Sequence, residues 1–210
     1  MQNFLSILFC LSLFYIAITS RIMSYVTVLA LQGAVLTLLM TLPVIAHFSI
    51  MHIAIPLTLF VIKTLLIPKY MRKIIVNLDV NLAIEPTIGQ FTFLLLTIFS
   101  MGAIFVVSNI LAKTTPIDII PFASGFSAII VGLYIIMFRK KLITHVAGFL
   151  VLENGIFLLG TSIAYKLPLI IEIGTLLDVF VVVFLMGIAL NKISSTISGF
   201  NSSDLGRLKD

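Results

Sequence analysis

Long apolar runs constrain this chain more than any other feature of its sequence. Seven runs of about 17 to 23 residues occur, and a helix of that length crosses a hydrocarbon core of roughly 30 Å at about 1.5 Å per residue. Runs of this length indicate helices rather than barrel strands, which need only about 9 to 11 residues. The predicted spans are roughly residues 3–20, 22–46, 50–67, 90–112, 117–138, 142–164 and 168–190.

The composition agrees with a membrane protein. Of the 210 residues, 60% are hydrophobic and 10% are charged, whereas about 25% are charged in a soluble domain. The mean hydropathy is +1.25. The sequence therefore predicts an all-α, multi-pass transmembrane protein of about seven spans.

Two regions are predicted along the chain. Residues 1–112 form a four-span region with an amphipathic connection at 68–89, in which Ile74, Ile75 and Leu78 recur at helical spacing beside basic residues. That pattern is typical of a short helix at the membrane interface. Residues 113–210 form a three-span region with a polar tail. Neither the connection nor the tail is long enough to fold alone, which excludes a soluble catalytic module.

Positive charges predict the orientation. Alternating the spans places most lysines and arginines on one side, which is cytoplasmic by the positive-inside rule. The N-terminus is then outside and the C-terminus inside. A removable signal peptide at residues 1–20 would give the same charge pattern, but the segment has no positive start and no small-residue cleavage site before Arg21. The residues on the basic side are Arg21, Lys69, Arg72, Lys73, Arg139, Lys140, Lys141, Lys192, Arg207 and Lys209.

The chain has no sequence signature of an enzyme or a cofactor site. It contains no Gly-rich phosphate loop, no H-E-x-x-H motif and no nucleophile elbow. Its single cysteine, Cys10, excludes an internal disulfide and a multi-cysteine metal or iron–sulfur site. We therefore expect no cofactor in this chain, and any redox centre would belong to a partner. The net charge of +5 is explained by the basic loops and needs no nucleic acid.

Two acids lie at the predicted bilayer midplane. Glu153 is at the midpoint of the sixth span, and Asp178 is close to the midpoint of the seventh. An ionised carboxylate there costs about 2.5 to 3.5 kcal/mol on insertion scales, so such residues usually face a polar interior and serve function. Proton handling is the favoured interpretation. The alternative is a hydrogen bond between helices, worth about 0.6 kcal/mol on average, and this is the favoured role for Asn154.

Three further polar residues in the spans have two interpretations each. Lys63 either extends its long stem to the cytoplasmic interface or is a buried cation paired with an acid. His145 stands two i, i+4 steps before Glu153, which suits a proton route from the cytoplasm or a plain interfacial residue. Glu172 lies near the outer end of the seventh span, where it serves the same route or contacts headgroups. Small residues such as Gly102, Gly125, Gly132 and Gly155 predict close helix packing.

Several blocks of sequence resemble a known family of membrane subunits. The runs "RKKLITHVAGFLVLENG", "LPLIIEIGTLLDVFVVVFLMGIAL" and "DLGRLKD", together with "VIKTLLIPKYM", are similar to component E of hydrogenase-4. The blocks cover about residues 60 to 210, with Lys63 and Pro68 at the family's lysine and proline. The last three spans also resemble the K subunit of complex I and the C subunit of multi-subunit cation/proton antiporters. Asp178 stands where that small subunit has its second midplane acid, and Glu153 lies about one turn beyond the first.

The resemblance implies a non-catalytic subunit of an oxidoreductase assembly in a bacterial or archaeal cell (inner) membrane. Its partners would be antiporter-like subunits and subunits that anchor a redox arm, and its acids would join a proton translocation pathway. Two alternatives stay open. One is a subunit of a cation/proton antiporter without a redox partner, and the other is a structural membrane adaptor without a transport role.

Overall fold

The computed structural model describes residues 1–44, 56–77 and 87–163, together with residues 178, 180, 181, 184 and 187. Within these ranges the secondary structure is helical, with no β-strand. The predicted all-α class is therefore confirmed for this part of the chain. The helices are α1 (Gln2–Ile18), α2 (Ile22–Val44), a π-helical segment (Phe60–Leu66), α3 (Ile67–Asn77), α4 (Gln90–Leu111), α5 (Ile119–Phe138) and α6 (Leu142–Ile163).

Four helices are long and apolar enough to cross a membrane. They coincide with the second, fourth, fifth and sixth predicted spans. Helix α1, the first predicted span, is apolar but has 17 residues, which gives it a length of about 26 Å. Most of the seventh predicted span and the tail lie outside the described residues. The four stretches are Ile22–Thr41, Gln90–Leu111, Ile119–Phe138 and Leu142–Ser162.

The third predicted span runs on into the helix that the sequence places in the connection. Ile67 has helical backbone angles, and its N–H donates to the carbonyl of Ile62, so the π-helical segment continues into α3 without a break. Ile74 and Ile75 of α3 are buried, while Lys73 is exposed. The amphipathic character predicted for this stretch is therefore present up to residue 77. The rest of the connection, residues 78–86, lies outside the described part of the chain.

Three helix ends meet through the side chain of Gln90. Its Nε2 donates to the carbonyls of Ala17 at 2.6 Å and Thr19 at 3.1 Å, at the C-terminal end of α1. Its Oε1 accepts from both terminal nitrogens of Arg139 at 3.4 Å, just after α5. The Arg139 guanidinium also lies 4.4 Å from the centroid of the Phe93 ring. Arg139, which the sequence places in a basic loop, is only 2% exposed because α4 supplies both of these partners.

Glycines bring α5 and α6 into close contact. A Cβ atom on Gly132 would lie 2.7 Å from the carbonyl oxygen of Gly148, and one on Gly148 would lie 2.9 Å from that of Gly132. The same relation holds about two turns away, where a Cβ on Gly125 would lie 2.8 Å from the carbonyl oxygen of Gly155. The prediction of close packing is confirmed for Gly125, Gly132 and Gly155, whereas a Cβ on Gly102 would meet nothing within 4 Å. This contact fixes the position of α6, which carries the polar residues described next.

We expect the same substitution to have opposite effects at two of these glycines. Gly132→Ala forces apart two backbones and should lower the free energy of unfolding in detergent micelles by about 1 to 3 kcal/mol, as overpacking does. Gly102→Ala adds a methyl group in open space and should be neutral or stabilising, because alanine is the better helix former by about 1 kcal/mol. Equal effects at the two positions would contradict the close contact between α5 and α6.

Candidate functional site: a buried lysine between two acids

The side chain of Lys63 bonds both of the acids that the sequence predicts at the midplane. Its Nζ donates to Glu153 Oε1 at 2.8 Å and to Asp178 Oδ1 at 3.2 Å, forming two ion pairs. A third contact, at 3.4 Å, reaches Asn154 Oδ1. An ammonium group has three donors and no acceptor, so these three oxygens satisfy it fully. We call Lys63, Glu153, Asp178 and Asn154 the central cluster.

The backbone around Lys63 is unusual in two ways. Lys63 lies in the middle of the π-helical segment, a rare conformation that occurs frequently at functional sites. The segment ends just before Pro68, which has no N–H for a helical bond. Helix α2 approaches it closely at Gly33, where a Cβ would lie 2.9 Å from the carbonyl carbon of Lys63 and 3.0 Å from its oxygen. The missing side chain at Gly33 therefore permits the close approach of these two helices.

The charges of the central cluster are shielded from solvent within the chain. Lys63 is 5% exposed, Glu153 is 2% and Asp178 is 0%. One ammonium and two ionised carboxylates carry a net charge of −1, and a single proton on either acid makes the cluster neutral. Glu153 Oε2 and Asp178 Oδ2 are buried, and no group in the described part of the chain donates a hydrogen bond to either oxygen. Buried polar atoms without partners are costly, so these two oxygens are the places where the cluster can accept a proton.

A line of hydrogen bonds connects the central cluster to α1. Asn154 Nδ2 donates to Gln32 Oε1 at 3.2 Å, and Gln32 Nε2 donates to Ser12 Oγ at 2.9 Å. Ser12 in turn donates to the carbonyl of Phe9 at 2.5 Å. Gln32 is fully buried and Ser12 is 7% exposed. The amide of Asn154 therefore braces the cluster against α1 and α2 while its oxygen faces Lys63.

The structure brings together four of the six residues that the sequence singles out. Lys63, Glu153, Asp178 and Asn154 form the central cluster, and of the two interpretations of Lys63 the buried ion pair is the one observed. His145 lies apart: its Nε2 contacts the carbonyl oxygen of Arg139 at 2.5 Å, and eight residues of helix separate it from Glu153 by about 12 Å. Glu172 lies outside the described residues.

Sequence reasoning missed the two residues that extend the network, Gln32 and Ser12. Gln32 is an amide in the middle of the apolar second span, so the depth criterion that selects Glu153 would also select it. Ser12 carries no such signal, because a serine in a span commonly bonds the carbonyl of the preceding turn. Its contact with Gln32 depends on how α1 and α2 pack, which the sequence does not reveal.

Removing the amide of Gln32 should weaken the fold more than removing another buried polar group of the same helix. Gln32→Leu leaves Asn154 Nδ2 and Ser12 Oγ without their partner and should cost about 1 to 3 kcal/mol of unfolding free energy. Thr37→Val is the control, because the hydroxyl of Thr37 bonds the Gly33 carbonyl of its own helix and no other described helix. Unfolding titrations in detergent measure both changes, and a larger loss for Thr37→Val would contradict the bracing role of Gln32.

Comparisons with known proteins give one distant relative. No model of a protein family matches the chain, and no solved structure matches it. The chain is similar to an uncharacterized protein, Rv0085, of Mycobacterium tuberculosis, with 24% identity over 189 residues that cover 88% of this chain and 84% of the relative. The similarity therefore extends over most of the length of both chains.

Proposed function

We propose that this chain is a membrane subunit that passes protons through Lys63, Glu153 and Asp178 within a redox-driven assembly of hydrogenase or complex I type. The observation that carries the proposal is a buried lysine bonded to two carboxylates at once. Each carboxylate also has a buried oxygen that receives no hydrogen bond from the described residues. Buried ionisable groups inside membrane spans are characteristic of proton relays. His145 and Glu172 belong to the same proposal as groups that lead from the central cluster toward the two membrane surfaces.

The geometry suggests how the two acids are coupled. A proton that binds Glu153 neutralises it and weakens its attraction to Lys63, since the ammonium then has one anionic partner instead of two. Lys63 can respond by moving closer to Asp178, to which it is bonded at 3.2 Å. The attraction between such groups is strong because little water reaches them. Protonation of one acid thereby holds the other in its ionised form. The proton can leave the first acid only when Lys63 moves back toward that acid.

The proposal includes seven spans with the N-terminus outside and the C-terminus in the cytoplasm. The excess of lysine and arginine on the side of Arg21, Lys69 and Arg139 supports this orientation. The contacts of Gln90 with the C-terminal end of α1 and with Arg139 are compatible with it, because they join segments that alternation puts on one side. The protein would then reside in a bacterial or archaeal cell membrane.

Energy for directed proton movement would come from outside this chain. Moving one charge across the membrane takes roughly 2.3 kcal/mol per 100 mV, and acids and a lysine pass protons without supplying that energy. We therefore propose antiporter-like and redox-arm subunits as partners, in line with the resemblance to hydrogenase-4 component E. Helix α4 has room for such partners or for lipid, since Phe91 is 71% and Phe99 is 74% exposed within the chain.

Replacing either acid by its amide should separate proton movement from assembly. In membrane vesicles that contain the complete complex, Glu153→Gln and Asp178→Asn should each slow proton translocation by about 10²-fold, the low end for a positioned proton-transfer group. The amount of assembled complex should not change, because an amide keeps the size and one acceptor oxygen. Translocation is measured as vesicle acidification, and assembly by native electrophoresis of the purified complex.

Asp118→Asn is the matched control, because Asp118 is an exposed carboxylate at the start of α5. It should leave translocation unchanged. Normal translocation in both cluster variants would contradict the proton role, and loss of assembled complex in both would favour the structural adaptor. Sodium-dependent transport that continues after the redox subunits are removed would favour the antiporter subunit instead.

A further inference from the structure

A groove lies along the outer face of the helical stretch that carries Lys63. Its volume is about 360 Å³, within the range of small-molecule sites. We call it the basic groove. We infer that it binds an anionic phospholipid, with one acyl chain along its apolar part and the phosphate against its lysines. The described residues that line it are Val61, Leu65, Leu66, Lys69, Tyr70 and Lys73.

The lining of the basic groove changes character along its length. The first part is apolar and is lined by Val61, Leu65 and Leu66. The second part is basic, with Lys69 one helical turn and Lys73 two turns beyond Leu65. The rise from Val61 to Lys69 is at most about 12 Å, the value for eight residues of α-helix, and one leaflet contributes roughly 15 Å to the hydrocarbon core. A chain of methylene groups that begins beside Val61 would thus reach its headgroup at the level of the lysines.

Charge selects the kind of headgroup. Lys69 and Lys73 are one helical turn apart, so their ammonium groups point to the same side of α3. Both are exposed, and Tyr70, at 37% exposure, lies between them with a hydroxyl that can donate. Two cations and a hydroxyl complement a phosphodiester that carries a net negative charge, whereas a zwitterionic lipid would bring its own cation into the same space.

The basic groove is separate from the central cluster, although both belong to one helical stretch. Lys63 is 5% exposed and points into the protein, whereas Val61 and Leu65 are 42% and 54% exposed on the other face. Lipid binding here therefore does not depend on the proposed proton function. The apolar groups on this face can contact the acyl chain of a lipid with any headgroup. The selectivity of the groove for anionic lipid therefore comes from its lysines.

Two adjacent residues allow a sharp test. Lys73 lines the groove, whereas Arg72 is exposed on the same helix and does not line it. The full-length chain, purified in detergent, is titrated with phosphatidylglycerol or phosphatidylcholine, and bound lipid is counted by native mass spectrometry. We expect Lys73→Gln to weaken phosphatidylglycerol binding about fivefold, the effect of one basic residue near an anionic surface. Arg72→Gln should change it less than twofold, and Lys73→Arg should restore it.

A second variant tests the apolar part without changing any charge. Leu65→Trp fills the groove and should weaken phosphatidylglycerol binding, while thermal unfolding shows that the variant is folded. The inference is overturned if Lys73→Gln and Arg72→Gln weaken binding equally, which would indicate general attraction to a basic surface. It is also overturned if phosphatidylcholine binds as tightly as phosphatidylglycerol. A third contrary result is phosphatidylglycerol binding that neither Lys73→Gln nor Leu65→Trp weakens, which is expected if a helix of a partner subunit occupies the groove.

Discussion

The ammonium group of Lys63 holds together residues from three separate parts of the chain. It contacts Glu153 and Asn154 of α6 and Asp178, which lies beyond the last described helix, while Lys63 itself precedes α3. Burying charges is costly unless they are paired and hydrogen-bonded, so the lysine and the two acids stabilise one another in the interior. The ion pairs to Lys63 also connect Asp178 to α6.

The packing around the central cluster keeps its residues in position. Gly33 lets α2 approach the backbone of Lys63, and the glycines between α5 and α6 set the position of Glu153. The bonds from Asn154 through Gln32 to Ser12 extend the same polar region to α1. Close packing of this kind suits the proposed relay, because a proton-transfer group works only within hydrogen-bond reach of its neighbour. In this proposal the proton binds one of the two carboxylate oxygens that receive no hydrogen bond from the described residues.

The length of the apolar runs was sufficient to predict the helical class and the four helices that are long enough to cross a membrane. The depth of a polar residue within its span was sufficient to select the two acids of the cluster. They could not decide between a buried and an interfacial Lys63, because its long stem permits both. The structure shows Lys63 buried, because its ammonium group bonds Glu153 and Asp178 from distant parts of the chain. Arg139 shows the same limit: it stands in a basic run of sequence, yet Gln90 and Phe93 from a distant segment bury it.

The mutual dependence of Lys63 and its two acids is tested most directly by measuring the cost of one substitution in two backgrounds. Lys63→Met, which keeps the length of the stem, is introduced into the natural chain and into the Glu153→Gln/Asp178→Asn variant, and the free energy of unfolding is determined in detergent. In the natural chain it should cost about 3 to 5 kcal/mol, because two buried carboxylates lose their cation. In the amide background the cost should fall to less than about half of that, since no charge is left to compensate. An equal cost in both backgrounds would contradict a buried ion cluster.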